Sequence, residues 1–268
     1  MMTGKMIIIT DLDGTLLHPQ TYSFMEARPA LRLIRKLGIP LIFCSSKTRA
    51  EISVFRKRLR NSHPFISENG GGIYIPQGYF SAAVNGRETA GYPCIILGTP
   101  YGEIRKHFVG LRDRLRAPVL GFGDMTVADI AGLTGLSRHA AGLARQREFD
   151  EPFIFTGDMD GHFFREIEAV GLHWTRGRIF HLSGDHDKGK AVQRLIDLFK
   201  RQYGPVQSIG LGDSLNDQSL LAAVDRPVLV RHLDGSFDSE VRVPGLLKTR
   251  HAGAAGWNEA VLELLGHG

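Results

Sequence analysis

The sequence predicts an α/β fold: a doubly wound parallel sheet of Rossmann-like type that carries a second, inserted α+β domain. Three observations point there. The run Ile7-Ile8-Ile9-Thr10 is apolar and β-branched without alternation, the pattern of a strand buried on both faces. From it to about residue 67, apolar strands alternate with amphipathic helices in a βαβαβ rhythm. That rhythm lapses over residues 85–183 and resumes at Asp187-Lys188-Gly189-Lys190. The expected organisation is a core formed by residues 1–84 and 184–268, with residues 85–183 inserted as a separate domain.

Each element has its own reason. After the first strand, Pro29 stands where a helix begins, Leu31, Ile34 and Leu37 share a face, and Gly38 stops it. Ile39 to Cys44 reads as a second buried strand, and Thr48 to Leu59 as a helix with Ile52, Phe55 and Leu59 inward. Phe65-Ile66-Ser67 is a short third strand, and Glu68-Asn69-Gly70-Gly71-Gly72 is expected to form a flexible loop after it. In the insertion, strands are expected at Tyr92–Leu97, Pro152–Phe155 and Arg178–Leu182. Helices are expected at Tyr101–Leu115, near Val127–Ala131 and around Phe163–Val170. Back in the core, a helix follows Lys188 with Val192, Leu195, Ile196 and Phe199 on one face. The strand Val206–Leu211, a helix at Ser219–Val224, the strand Pro227–Val230 and a last helix at Trp257–Leu265 complete the set.

Composition narrows the class. The chain has 268 residues, enough for one large or two modest domains, and its apolar (43%) and charged (23%) fractions are those of a globular protein. A net charge of +5 favours anionic partners, yet no Lys/Arg block marks a nucleic-acid arm. A small anionic substrate is the simpler partner; a nucleic-acid-binding protein is the rival from another class, and an acidic cluster at the strand ends would repel a phosphate backbone. Neither a signal peptide nor a membrane-spanning run is evident, and Cys44 and Cys94 suggest no disulfide framework, so a cytoplasmic location is expected.

The chemistry gathers at strand ends, where ligands bind in open α/β sheets. The first strand stops on Asp11 and Asp13, adjacent carboxylates that repel each other unless a cation lies between them. Ser45 follows the second strand, Lys188 opens a helix, and Asp213 and Asp217 follow Val206–Leu211. Several carboxylates, a lysine and a hydroxyl suit a divalent cation and a phosphoryl group, since Mg²⁺ is held by a few carboxylates plus phosphate oxygens. Plainer readings exist for each: a polar turn for Asp11–Gly14, a solvated helix-start lysine for Lys188, a helix N-terminal acid for Asp217. Gly121-Phe122-Gly123 is not a dinucleotide fingerprint, because Thr126 replaces the final glycine. His181 and His186 lack the further spaced ligands of a zinc site and read as ordinary polar residues.

In order and spacing, Asp11-Leu12-Asp13-Gly14-Thr15, Ser45, Lys188 and Gly212-Asp213-Ser214-Leu215-Asn216-Asp217 resemble the motifs of the haloacid dehalogenase superfamily. The insertion resembles that superfamily's type-two cap. Ser45 to Glu51, Glu68 to Gly72, Gly121 to Met125 and Arg147 to Phe153 resemble mannosyl-3-phosphoglycerate phosphatases more closely, so the likeness spans most of the chain. It implies a haloacid dehalogenase core with an inserted type-two cap, and Mg²⁺-dependent hydrolysis of mannosyl-3-phosphoglycerate to mannosylglycerate, a compatible solute. Glucosyl-3-phosphoglycerate and sucrose phosphate are the alternative substrates.

By position, the resemblance makes Asp11 the nucleophile that forms an aspartyl-phosphate and Asp13 the acid and base. Mg²⁺ is expected on Asp11, Asp13 (through its carbonyl), Asp213 and Asp217, and phosphoryl oxygens on Ser45, Lys188 and Asn216. The substrate also carries a carboxylate and a sugar. For these the candidates are Lys47, Arg49, Glu68, Asn69, Gly70 and Arg147, with Arg145 and Arg178 further cations. Gly70 to Gly72 and Ser183-Gly184 are expected hinges for cap closure.

Overall fold

Strand β1 (Lys5–Thr10) lies inside the sheet because Ile7, Ile8 and Ile9 have no solvent-exposed surface. It opens the computed structural model, which describes residues 4–82, 86–89, 91–176 and 179–266. Helix α1 (Arg28–Lys36), β2 (Leu41–Cys44), α2 (Arg49–Leu59), β3 (Phe65–Ser67) and β4 (Gly72–Tyr74) follow. Next come β5 (Arg87–Thr89) and β6 (Tyr92–Ile96). The insertion holds α3 (Tyr101–Leu115), β7 (Val119–Gly121), α4 (Val127–Thr134), α5 (Arg138–Ala144), β8 (Asp150–Phe155), α6 (Gly161–Ala169), β9 (His173–Arg176) and β10 (Phe180–Ser183). The chain returns through α7 (Lys188–Tyr203), β11 (Val206–Gly212), α8 (Gln218–Ala222), β12 (Arg226–Arg231), β13 (Leu247–Ala252) and α9 (Gly253–Gly266).

Among the described residues the core sheet runs β13-β12-β11-β1-β2-β3-β4-β6-β5, parallel from β13 to β3 and antiparallel beyond. The chain builds outward from β1 through β2 and β3, then returns to the other side of β1 through β11. The ends of β1, β2 and β11 therefore flank the point where strand order reverses, the place where such sheets open a crevice. Alternation sends Ile8 and Phe43 to one side with Trp257, and Ile7, Ile9 and Ile42 to the other with Leu195 and Phe199. Helices on both faces bury both sets, which is why β1 and β2 read as unbroken apolar runs.

Pairing corrects one placement. Tyr92–Leu97 was expected in the insertion, but β6 pairs with β4 and extends the core sheet. The cap's own sheet, β7-β8-β10-β9, begins after α3. The expected boundary at residues 84 and 85 lies outside the described residues. Six of the described elements have no counterpart in the expected set: β4, β5, β7, α5, β9 and β13. Strands β4, β5 and β7 are three residues long, β9 and β13 are mostly exposed, and α5 is short and alanine-rich, so none shows a strong apolar period.

The glycine stretch is also not a free loop. Glu68 and Asn69 both take left-handed φ values (47° and 55°), and Gly70 follows at 104° in a buried turn. A Cβ on Gly70 would meet the Asp187 carbonyl oxygen at 2.2 Å, so glycine lets this turn press against the start of α7. Phe149, a cap residue, packs into the core cluster with Tyr74 and Cys94. The expected hinges therefore sit in close-packed surroundings: Gly71 abuts Phe149, and Gly184 abuts Thr99.

Candidate active site

Asp11 follows β1 directly and its backbone N–H continues the ladder to Leu211 O at 2.9 Å. Its side chain is 8% exposed. Lys188, the first residue of α7, is held by the cap that Asp187 places on Lys190 N–H at 2.9 Å. Lys188 Nζ donates to Asp11 Oδ1 at 2.7 Å and to Asp217 Oδ1 at 2.6 Å. This is a deeply buried lysine, so its plainer reading as a solvated residue is set aside; Lys190 is the exposed one, paired with Asp185. Although burial disfavours its charge, Asp11 and Asp217 hold the Lys188 pKa above the usual lysine range.

Asp213 and Asp217 descend from the end of β11. Asp217 Oδ2 accepts from the N–H groups of Asp213 (3.0 Å) and Ser214 (3.2 Å), while Thr15 donates to Asp213 Oδ1 at 2.9 Å. Gly14 has a φ of +79°, and a Cβ there would lie 2.5 Å from Asp213 Oδ2, so the turn after β1 needs glycine to admit that carboxylate. His232 donates from Nε2 to the Asp213 carbonyl at 2.8 Å. Carboxylate oxygens of Asp11, Asp213 and Asp217 lie within 4.8 Å of one another, close enough to share a cation. Their mutual crowding disfavours the charged forms. Burial, then Asp217, push the Asp213 carboxyl up to about 7, and burial raises Asp11 despite Lys188. Such a group is short of positive charge, and its all-oxygen donors suit a hard divalent ion.

Asp13 stands beside the cluster. Its Oδ2 takes Lys47 Nζ at 2.8 Å, and its buried Oδ1 has no hydrogen-bond partner among the described residues. Lys47 is 6% exposed, lies over the Tyr22 ring at 4.7 Å and approaches Glu51 at 3.7 Å. It is placed by the start of α2, where Thr48 and Glu51 cap each other reciprocally at 3.1 and 2.9 Å.

Cap and core enclose a cleft of about 380 Å³ above these groups. Asp11, Asp13, Lys47, Asn69, Arg147, Asp213 and Asn216 line it, as the sequence expected, together with Ser46, Tyr22, Thr175 and His181. Lys188 and Asp217 lie beneath. Arg147 is anchored by its bonds to Ser46 O (3.0 Å) and Ala144 O (2.8 Å) and approaches Asp150 at 3.7 Å.

Besides Lys188, four expected substrate or phosphate contacts do not line the cleft. Glu68 is fully buried, and its oxygens accept from the N–H groups of Glu148 and Phe149 at 2.8–3.1 Å, tying core to cap. Arg49 pairs with Glu148 at 3.2 Å. Gly70 serves the turn against α7. Ser45 is buried with its hydroxyl on Lys47 N–H at 3.3 Å, and Ser46 is the serine that lines the cleft. Arg145 is exposed at the end of α5, and Arg178 lies outside the described residues. His181 was passed over by the sequence reading. Its polar position between apolar Phe180 and Leu182 on a strand was the available signal.

Residues 8–83 match the model of the haloacid dehalogenase-like hydrolases. A Methanococcoides burtonii protein named glucosyl-3-phosphoglycerate/mannosyl-3-phosphoglycerate phosphatase is 44% identical over 266 residues, covering 98% of each chain. The chain belongs to this phosphatase family. A Persephonella marina phosphatase of the same name is 42% identical over 97% of each chain. The Pyrococcus horikoshii mannosyl-3-phosphoglycerate phosphatase is 37% identical over 85% of this chain and 91% of its own. In fold, a haloalkanoate-superfamily phosphatase from Bacteroides thetaiotaomicron superposes with a TM-score of 0.68 at 16% identity, over 99% and 96% of the two chains. A sugar-phosphoglycerate phosphatase of this family thus carries the haloacid dehalogenase core with a separate antiparallel cap sheet, as the sequence motifs implied.

Proposed function

We propose that the chain hydrolyses both mannosyl- and glucosyl-3-phosphoglycerate to the glycosylglycerate and phosphate. The observation that carries this reading is the cluster of Asp11, Lys188, Asp213 and Asp217 under a cleft roofed by the cap, in a chain whose full-length relatives are named for both sugars. The sequence motifs alone favoured the mannosyl compound; the bifunctional names broaden the expectation.

Asp11 attacks phosphorus, forming the aspartyl-phosphate as the bond from phosphorus to the glycerate C3 oxygen breaks. Asp13 gives that oxygen its proton, then takes a proton from the water that cleaves the acyl-phosphate and regenerates Asp11. The position of Asp13 supports this role, because its Oδ1 is unpartnered while Lys47 steadies Oδ2. Lys188 offsets charge on Asp11 and on the transferred group, and Asn216 and Ser45 or Ser46 orient phosphoryl oxygens. Asp11, Asp213 and the Asp13 carbonyl would hold Mg²⁺, backed by Asp217, and the ion would supply further neutralisation of the phosphoryl oxygens. Arg147 meets the glycerate carboxylate. The buried free cysteines Cys44 and Cys94 suit a reducing, cytoplasmic setting, in which the product would serve as a compatible solute.

Phosphate release from the mannosyl and glucosyl compounds and from sucrose phosphate, with Mg²⁺ or EDTA, tests this beside Asp11→Asn. Turnover of both phosphoglycerates, lost with EDTA and reduced at least ~10³-fold in Asp11→Asn, is expected. Preference for sucrose phosphate would overturn the substrate, and an active Asp11→Asn the mechanism.

A further inference from the structure

The cap sheet turns one face to the cleft, and strand alternation selects the residues on it. On β10, Phe180 and Leu182 join the apolar cluster with Phe153 and Phe163, leaving His181 on the cleft side. Thr175 of β9 sits directly opposite His181 in the ladder and also lines the cleft. Asp150 of β8 pairs with Ser183, which makes it a diagonal neighbour of His181 on the same face.

Asp150 is 1% exposed, and His181 Nδ1 lies 2.9 and 3.0 Å from its two oxygens. Burial alone would raise the Asp150 pKa, yet His181 and Arg147 hold it below the usual carboxyl range. An ionised carboxylate only accepts, so Nδ1 carries the proton. With Nδ1 so engaged, Nε2 is the ring position left for the cleft, and it accepts when the ring is neutral. Asn69 Oδ1 in the opposite, core-side wall is a second buried acceptor without a partner among the described residues. Two acceptors on residues that line one cleft suit a ligand with hydroxyl donors. Phosphate and carboxylate bring none, and bare 3-phosphoglycerate has only its C2 hydroxyl beside the carboxylate, whereas a sugar ring attached there carries several hydroxyls beyond it.

We propose that His181, oriented by Asp150, accepts a hydrogen bond from a hydroxyl of the glycosyl ring and, with Asn69, distinguishes glycosylated phosphoglycerate from the bare acid. The inference rests on the sugar-phosphoglycerate reading above. Asp150 is the positioning residue, and Arg147, which lies 3.7 Å from it and lines the same cleft, meets the carboxylate.

The test is the ratio of kcat/KM for glucosyl-3-phosphoglycerate to that for 3-phosphoglycerate, in the wild type and in His181→Asn. The asparagine amide nitrogen falls where Nδ1 stood and can donate to Asp150, so the buried carboxylate keeps a partner, but no acceptor remains where Nε2 stood. The ratio should fall at least ~10-fold, the scale of one lost hydrogen bond. A ratio within ~3-fold of wild type, or an equal fall with both substrates, overturns the proposal by reducing His181 to a structural role. Should His181→Asn not fold, the wild type still decides the matter. The His181 Nε2 nitrogen resonance, assigned by triple-resonance connectivity, should move on saturation with glucosylglycerate, and an unmoved signal overturns the proposal. A wild type that shows no preference for the glycosylated compound fails the functional reading itself, and this inference with it.

Discussion

Lys188 donates to Asp11 at 2.7 Å from a position of near-complete burial, 1% exposed. A buried cation shared with Asp217 offsets charges that burial would otherwise drive toward protonation, so removal of either side leaves an uncompensated charge. Lys188→Met should cost about 3–5 kcal/mol of unfolding free energy and reduce kcat by at least ~10³-fold. Urea unfolding beside a phosphate-release assay checks both; a variant as stable as wild type would mean the pair contributes little.

The acidic cluster predicts how cation binding depends on pH. Burial and Asp217 push the Asp213 carboxyl up to about 7, so below that pH a proton competes with the ion. Mg²⁺ affinity should rise about tenfold per unit up to pH 7 and flatten above it, for one displaced proton. Without metal the sign is opposite: the folded state alone keeps the proton above the normal carboxyl pKa, and stability falls as pH rises through 7. Titration calorimetry and thermal unfolding, each at pH 6, 7 and 8, separate the two slopes.

Glu68 makes a similar prediction away from the reacting groups. Burial raises its carboxyl from 4.5 to about 8, against the pull of Arg147 and of the backbone N–H groups of Phe149 and Glu148. Because the folded pKa is the higher one, stability should decline as pH climbs from about 4.5 through 8. Asp11 and Asp213 add slope of the same sign, so the comparison is with Glu68→Gln. The wild-type-minus-variant difference should fall by up to about 1.4 kcal/mol per pH unit in that window. A difference that does not vary with pH would contradict the assignment.

Arg49 and Arg147 separate a tie from a contact. Arg49 is bound to Glu148, which also accepts from Tyr74, and neither Arg49 nor Glu148 lines the cleft. Arg49→Ala should cost about 1 kcal/mol of stability and change KM by less than ~2-fold. Arg147→Ala, removing a guanidinium that lines the cleft, should raise KM at least ~10-fold with the phosphoglycerate substrates. Equal KM effects would remove the distinction.

The sequence by itself determined the core, because burial on both faces writes unbroken apolar runs at β1 and β2 and an apolar stretch from Ile209 at the end of β11, and acidic residues follow β1 and β11 directly. Asp11, Asp13 and Asp213 were legible for that reason, since strand ends in one parallel sheet converge whatever lies between them, and Lys188 was legible as the residue that opens the helix leading into β11. Tertiary structure alone decided the rest. That β6 joins the core sheet depends on a pairing partner, β4, and not on the local pattern of Tyr92–Ile96. That Glu68 and Arg49 tie cap to core, while Ser46 and His181 face the cleft, depends on where the cap docks. His181 owes its orientation to Asp150, thirty-one residues earlier, through strand pairing in the cap. Local periodicity records which side of a strand is buried; it holds no record of which neighbour covers the other side.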